Sequence, residues 1–173
     1  MLLDPTFTEI VRRARKNRLW TREATTRALD LGREDVDRML PHRDPFAFVD
    51  GIVAFDPAQR AVEGARRIHE DDPVFVGHFP HHPVYPGVLL VETMGQLACC
   101  LRALLLSCSN PLDVRALSVQ SATFLGEVAP GASLTVLARE LDDNDTIGVA
   151  AGQVLEGDRI VATCVMEVYF VES

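Results

Sequence analysis

Residues 77–106 read GHFPHHPVYPGVLLVETMGQLACCLRALLL. Pro80, Pro83 and Pro86 recur at every third position, and each fixes its own φ and disfavours helical geometry in the residue before it. We therefore expect residues 79–86 to form a rigid, extended strap of the polyproline type. A helix over 87–106 is predicted to follow, since proline suits the start of a helix.

Two side chains in this stretch, His78 and Glu92, have the chemistry for proton transfer. An imidazole can remove a proton near neutral pH, and a carboxyl group can deliver one. Gly87 has no side chain, so a substrate could approach its N–H group closely. A helix N-terminus also presents unpaired N–H groups and the positive end of the helix dipole. The stretch therefore predicts an acid–base pair beside an oxyanion site at Gly87.

The predicted helix is apolar on nearly all sides, which indicates a buried helix rather than a surface one. Its length would also allow it to cross a membrane. Glu92, Gln96 and Arg102 argue against a membrane span, because polar and charged groups are costly in a bilayer. We expect a core helix, and no membrane partner.

A longer set of motifs is similar to a known family. The set comprises Leu40-Pro41-His42-Arg43-Asp44-Pro45-Phe46, Val49-Asp50, Gly77-His78-Phe79-Pro80, Pro83, Pro86-Gly87-Val88-Leu89, Glu92, Gln96, and Phe124 with Val128, Pro130 and Gly131. In this order the motifs resemble the (3R)-3-hydroxyacyl-acyl carrier protein dehydratases of fatty acid synthesis. The resemblance runs from about residue 34 to the C-terminus.

The resemblance implies an α+β hot-dog fold, in which an antiparallel sheet wraps around one long central helix. It implies a homodimer, in which the histidine of one subunit faces the carboxylate of the other, and in some members a hexamer made of three dimers. His78 would take the α-proton, Glu92 would protonate the departing β-hydroxyl, and the Gly87 N–H would hold the thioester oxygen. The substrate would be a thioester on the phosphopantetheine arm of acyl carrier protein or on coenzyme A. The reaction would need no metal and no redox cofactor.

Further residues are candidates for substrate binding, and each has a structural alternative. They are Phe79, Tyr85, Val88 and Gln96. Tyr85 could line the site or pack against the core, and Val88 belongs to an apolar stripe that could form core or wall an acyl tunnel. Gln96 lies one turn beyond Glu92, so the two could hydrogen-bond.

The candidate catalytic residues also have structural alternatives. Glu92 could form an ion pair with Arg102 or across a dimer interface. His78 with His81 and His82 lacks the spacing of a metal site. His42 is expected to position the loop before the first predicted strand of the domain.

The bulk composition fits one soluble domain. The chain has 173 residues and a net charge of −8, which argues against nucleic acid as a partner. The N-terminus lacks the pattern of a signal peptide. The four cysteines form no Cys-x-x-Cys pair and are predicted to be free thiols, which indicates a reducing cytoplasm.

Residues 1–33 are predicted to be a helical N-terminal extension, and residues 34–173 the dehydratase-like domain. Phe7, Ile10, Val11 and Ala14 have helical spacing, and a second helix is expected from Thr21 to Leu31. The extension is either a helical pair packed on the core or a basic docking site for an acidic carrier protein. A short helix is predicted over 34–40. Strands are predicted over 46–55, 60–69, 113–125, 132–141, 146–156 and 159–171.

Two departures from the family pattern indicate a specialised relative. The segment Phe124-Leu125-Gly126-Glu127 lacks the basic residues that follow this phenylalanine in the family, and Arg115 stands where a tyrosine often gates the acyl tunnel. Dehydration of 3-hydroxyacyl thioesters is the leading hypothesis. The alternatives are thioester hydrolysis on the same fold and a non-catalytic, carrier-binding subunit.

Overall fold

The computed structural model describes residues 5–108, 110–143 and 146–171 as one antiparallel sheet and its helices. In chain order the elements are α1 (Pro5–Ala14), β1 (Arg27–Leu31), α2 (Arg33–Met39), β2 (Gly51–Asp56), β3 (Ala61–Arg67), a 3-10 helix (Pro73–Val76), α3 (Gly87–Leu106), β4 (Val114–Phe124), β5 (Ser133–Asp143), β6 (Ile147–Glu156) and β7 (Arg159–Phe170). The seven strands run in the order β1-β2-β3-β5-β6-β7-β4, and every neighbouring pair is antiparallel. The α+β hot-dog prediction is confirmed.

Helix α3 packs on one face of the sheet, with the bounds that the sequence predicts. Its side chains Met94, Leu97 and Leu101 are fully buried against β5, β6 and β7. Two strand glycines allow this close packing: a Cβ atom at Gly152 would lie 2.6 Å from Met94 Cβ, and one at Gly64 would lie 2.8 Å from Leu97 Cδ1. By length and composition α3 could also cross a membrane. Core helices share these properties, and the packing of α3 on the sheet shows that it is one.

The outer face of the sheet is also covered, because α1 and Trp20 pack on it. Leu137, Val149 and Ala151 point to this side and are buried there. This packing explains why the strand sequences alternate only partly between apolar and polar residues. A sheet that is buried on both faces reads as an almost continuous apolar run.

Gln153 attaches the N-terminal segment to the sheet. Its fully buried amide accepts a hydrogen bond from the Leu19 N–H (2.8 Å) and donates to the carbonyl oxygens of Ala14 (2.6 Å) and Asn17 (2.9 Å). The indole of Trp20 donates to the Val62 carbonyl at 3.3 Å. The segment before the dehydratase-like region is therefore integrated into the fold. The boundary between residues 33 and 34 stays a prediction.

The predicted helix from Thr21 to Leu31 is wrong. Residues 27–31 form β1, which pairs with β2 at the edge of the sheet. The hydroxyl groups of Thr25 and Thr26 donate to the Asp56 carboxylate at 2.8 and 2.7 Å. These two hydrogen bonds hold the residues that directly precede β1 against the end of β2. Tertiary contacts override the local helical spacing here.

The first strand of the predicted domain also begins later than predicted. β2 starts at Gly51 rather than at residue 46. The Phe46 N–H bonds to the Arg43 carbonyl in a turn, and the Phe48 N–H bonds to the side chain of Gln96. Phe46 and Phe48 therefore bond to α3, and the chain reaches the sheet only at Asp50, whose N–H bonds to the Ala65 carbonyl of β3 at 2.9 Å.

Asp56 is expected to stabilise the attachment of the N-terminal segment. Burial would raise the pKa of Asp56, but hydrogen bonds from the Gln59 N–H and from Thr26 and Thr25 outweigh burial and hold that pKa well below its usual range. Because the folded-state pKa is the lower one, this stabilisation is complete at neutral pH and is lost as the pH falls below about 4.

We expect Asp56→Ala to lower the Tm at pH 7 by several degrees and to lower it less at pH 3, as measured by calorimetry. The matched control is Asp158→Ala in the exposed hairpin turn, which should leave the Tm unchanged. Equal Tm values for the two variants at pH 7 would contradict the role of Asp56.

Candidate active site

His78 follows the short 3-10 helix, and its ring has one fixed orientation. The Nδ1 atom lies 2.7 Å from the carbonyl oxygen of Val84, and the His78 N–H bonds to the Val74 carbonyl at 3.0 Å. A carbonyl oxygen only accepts hydrogen bonds, so Nδ1 carries the hydrogen. In the neutral imidazole the lone pair is then on Nε2. His78 is thus prepared to accept a proton at Nε2.

The strap after His78 is extended only in its second half. The His82 N–H bonds to the Phe79 carbonyl at 2.9 Å, so residues 79–82 form a turn, and the prediction of an extended strap from residue 79 is wrong. Pro80 occupies the second position of this turn, which its fixed φ favours. The remainder reaches Pro86, whose φ of −60° and ψ of 126° are of the polyproline type.

The N-terminus of α3 lies beside His78. Pro86, the N-cap residue, makes no side-chain hydrogen bond to this end of the helix. A cavity of about 500 Å³ here is lined by residues that include His78, Pro86, Gly87, Val88 and Phe124. The structure therefore brings the predicted base and the predicted oxyanion site to one cavity.

Packing favours glycine at position 87. A Cβ atom at position 87 would lie 2.7 Å from two carbons of the Phe124 ring. Phe124 therefore occupies the space that a side chain would take. Phe124 is half exposed at the edge of the cavity, and the sequence interpretation gave it no part in the site.

The other predicted substrate-binding residues differ in exposure. Phe79 and Val88 are exposed, at 55% and 68%, in keeping with contact to a ligand or a partner. Tyr85 is 2% exposed and packs near Phe75, with ring centroids 6.1 Å apart. Burial raises the pKa of Tyr85. Tyr85 also lines the cavity beside His78, so it both packs and faces the candidate site, and its predicted substrate contact stays a prediction.

Gln96 holds the Glu92 carboxylate in place. Its Nε2 atom donates to Glu92 Oε1 at 2.9 Å and to the Phe46 carbonyl at 3.0 Å, while its Oε1 atom accepts from the Phe48 N–H at 2.7 Å. Gln96 is 1% exposed, so its amide is fixed by three partners. The predicted contact between Gln96 and Glu92 is confirmed. A direct contact of Gln96 with substrate stays a prediction.

His42 also reaches Glu92, which the sequence interpretation missed. The His42 Nε2 atom lies 3.5 Å from Glu92 Oε1. The sequence did contain a hint of this contact, since His42 belongs to the Leu40–Phe46 motif that the chain shares with the dehydratases. The alternative ion pair between Glu92 and Arg102 is wrong, because Arg102 contacts Glu140 at 3.3 Å instead.

Glu92 opens on a different cavity from His78. This second cavity, about 280 Å³ in volume, is lined mainly by apolar side chains of α3, β4 and β7, with Glu92, Gln96 and His42 among its polar lining. Within one chain, the predicted acid and the predicted base are therefore not brought together in one cavity.

The cysteine beside Glu92 is not activated. Cys99 lines the second cavity, and burial together with the nearby charge of Glu92 raises the pKa of its thiol to about 12. A thiol with this pKa stays protonated at neutral pH and is a poor nucleophile.

His78, His81 and His82 do not form a metal centre. His82 instead lies 2.9 Å from Glu127. Over residues 5–108, 110–143 and 146–171, no cluster of three or more His, Cys, Asp or Glu residues is placed to hold a metal ion.

Comparisons with known proteins show the family of this chain. The FabA-like domain model matches residues 40–165. The chain is 35% identical over 133 residues to the 3-hydroxyacyl-[acyl-carrier-protein] dehydratase FabZ of Chlamydia muridarum, covering 76% of this chain and 87% of that protein. It is 36% identical over 136 residues to the enzyme of the same name from Syntrophomonas wolfei, covering 77% and 91%.

Among solved structures, the fold resembles the dehydratase heterocomplex ApeI:P of Xenorhabdus doucetiae. The TM-score is 0.66 at 16% identity, over 85% of this chain and 94% of that one. This similarity supports the fold. On the sequence matches, the chain belongs to the FabA-like domain family, among the FabZ-type 3-hydroxyacyl-[acyl-carrier-protein] dehydratases, which are hydro-lyases.

Proposed function

We propose that the protein catalyses the reversible dehydration of (3R)-3-hydroxyacyl thioesters to trans-2-enoyl thioesters, with His78 and Glu92 as the acid–base pair. The observation that carries this proposal is the hydrogen bond from His78 Nδ1 to the Val84 carbonyl. It leaves Nε2 as the basic nitrogen, in a cavity that also contains the uncapped N-terminus of α3.

The residues then have distinct roles in the elimination. His78 Nε2 removes a proton from the α-carbon, and the electron pair of that C–H bond forms the double bond. The Gly87 N–H stabilises the negative charge that develops on the thioester oxygen. Glu92 delivers a proton to the departing β-hydroxyl, which leaves as water. Gln96 keeps the Glu92 carboxylate aimed at the substrate.

In a homodimer, the His78 cavity of one subunit and the Glu92 cavity of the other would together form one complete site. Among the described strands, β4 pairs with β7 alone and forms an edge of the sheet, so its other edge offers backbone groups for pairing. Leu117 and Val119 on this strand are about half exposed, which suits an interface. β4 also lines the Glu92 cavity. Pairing two β4 edges would bring the His78 cavity of one subunit towards Glu92 of the partner subunit.

The proposed substrate carrier is acyl carrier protein or coenzyme A, and the proposed location is the cytoplasm. The names of the relatives support the carrier protein. The four cysteines are free thiols, which suits a reducing compartment.

The test compares (3R)- and (3S)-3-hydroxybutyryl thioesters on both carriers. Enoyl absorbance should rise with the (3R) substrate alone, and no free thiol should appear. Thiol release from a saturated acyl thioester would instead indicate a hydrolase. Carrier binding without turnover would indicate a binding subunit.

A further inference from the structure

A third cavity, about 150 Å³ in volume, lies between the N-terminal segment and β5. Three arginines line it: Arg13 near the end of α1, Arg18 in the segment after α1, and Arg139 on β5. Helix α3 and the residues of the candidate active site pack on the other face of the sheet. This cavity is therefore separate from the candidate active site, and the proposed dehydration gives it no role.

The charges around this cavity are unbalanced. Arg18 and Arg22 pair with the same oxygen atom, Oε2 of Glu63, at 3.1 and 3.2 Å. Within residues 5–108, 110–143 and 146–171, neither Arg13 nor Arg139 forms an ion pair. Four guanidinium groups in this region therefore share one carboxylate, and the excess positive charge lies at the cavity.

The other negative groups nearby are already engaged. The exposed carboxylate of Glu9 on α1 pairs with Arg12 at 2.7 Å. The carbonyl oxygens at the end of α1, which would repel an anion, also have donors. The Arg13 carbonyl accepts the N–H of the residue four positions later at 2.9 Å, and the Ala14 carbonyl accepts from Gln153 at 2.6 Å. An anion in the cavity would therefore meet guanidinium groups rather than free oxygen atoms.

β5 places Arg139 on an apolar part of the sheet. Its neighbours in register are Ala61 on β3 and Ala151 on β6, and both are buried. Leu137, two residues earlier on the same face, is fully buried. Arg139 itself is half-buried, and its side chain lines the cavity. Because a charged group among apolar atoms is costly without a partner, a bound anion would stabilise Arg139.

The arginines also indicate which anion would bind. A guanidinium group is a planar fork of N–H donors that matches the oxygen atoms of phosphate and carboxylate groups. Three such forks suit a group with several oxygen atoms and a double negative charge. A phosphate monoester has both near neutral pH, whereas a single carboxylate has one charge and two oxygen atoms.

We propose that Arg13, Arg18 and Arg139 form a binding site for a phosphate group, either free phosphate or the phosphate of a small monoester. The bound group connects the N-terminal segment with β5. Binding therefore stabilises the packing of this segment on the sheet. The inference does not rest on the proposed dehydration, because the site lies on the opposite face of the sheet from α3.

The test measures the Kd of inorganic phosphate and of glycerol 3-phosphate by isothermal titration calorimetry, at neutral pH and constant ionic strength. Wild type should bind at least one probe with saturation, and the tighter probe shows whether the site takes free phosphate or a monoester. Arg139→Gln and, independently, Arg13→Gln should each raise the Kd by at least ~10-fold. Since Arg13 is exposed, its replacement should leave the fold intact.

Arg15→Gln is the matched control, because it removes the same charge from an exposed position of the same segment outside the cavity. It should keep the Kd within about twofold of the wild-type value. Absence of saturable binding of both probes up to about 10 mM would overturn the inference. So would an Arg15→Gln protein that loses as much affinity as the two cavity variants, since the probes would then bind a diffuse basic surface.

Thermal unfolding provides a second readout. Saturating probe should raise the Tm of wild type and of Arg15→Gln, and should leave the Tm of Arg139→Gln unchanged at the same concentration. An equal rise in the Tm of all three proteins would contradict the site, because a general effect of the anion on stability does not depend on Arg139.

Discussion

His78→Ala should lower kcat for the hydration of crotonyl thioester by about 10³-fold or more, the largest effect expected of any single substitution here. The Val84 carbonyl holds the His78 ring by Nδ1, so the neutral ring presents a basic Nε2 to the cavity. Alanine removes this base. Because the uncapped helix end at Gly87 remains, KM should change far less than kcat.

The matched control for this variant is His82→Ala. His82 lies in the same loop, and its exposed side chain hydrogen-bonds to the exposed side chain of Glu127. Its removal should leave kcat within about twofold, because surface substitutions away from the chemistry have small effects. A His78→Ala protein that is folded and keeps more than a tenth of the wild-type kcat would show that another group is the base.

The second large effect is a recovery of activity when two inactive variants are combined. His78→Ala and Glu92→Gln should each be inactive alone. In a two-fold symmetric dimer whose sites combine His78 of one subunit with Glu92 of the other, a mixed dimer has one site with both substitutions and one intact site. Co-expression with random pairing should therefore restore about a quarter of the wild-type activity.

Different affinity tags on the two chains allow the mixed dimers to be purified away from the two inactive homodimers. Mixed dimers isolated through both tags should have about half of the wild-type activity per dimer. If each chain instead holds a complete site, the mixed dimers should stay inactive. The control is a mixed dimer of wild type and His78→Ala, which should also have about half of the activity.

The parts of the fold that the sequence predicted best are those fixed by local chemistry. Pro86-Gly87 sets the start of α3, and the turn at Gly157, with φ of +58°, lies between the strands that were predicted over 146–156 and 159–171. The segment at 21–31 was predicted wrongly, because its strand depends on pairing with β2 and on the Asp56 carboxylate. Neither contact can be seen in a local window.

The sequence predicted which residues belong to the candidate site, but not most of the contacts between them. The spacing of four residues on one helix was enough to predict the contact between Gln96 and Glu92. The approach of His42 to Glu92 was not predicted, because His42 lies fifty residues before Glu92 in the chain and the irregular segment that contains Phe46 and Phe48 bonds to α3 through Gln96. The packing of Phe124 against Gly87 was not predicted either, because Phe124 is distant in the chain and is placed beside Gly87 by the end of β4.

We propose that this chain adds water to, and removes it from, an acyl thioester without cleaving it. The most direct test is a single reaction of the wild-type protein with crotonyl-carrier protein, in which enoyl absorbance and free thiol are followed together. Our account predicts that absorbance falls while thiol stays at the level of the blank. Constant absorbance, or thiol released in step with its loss, would contradict it.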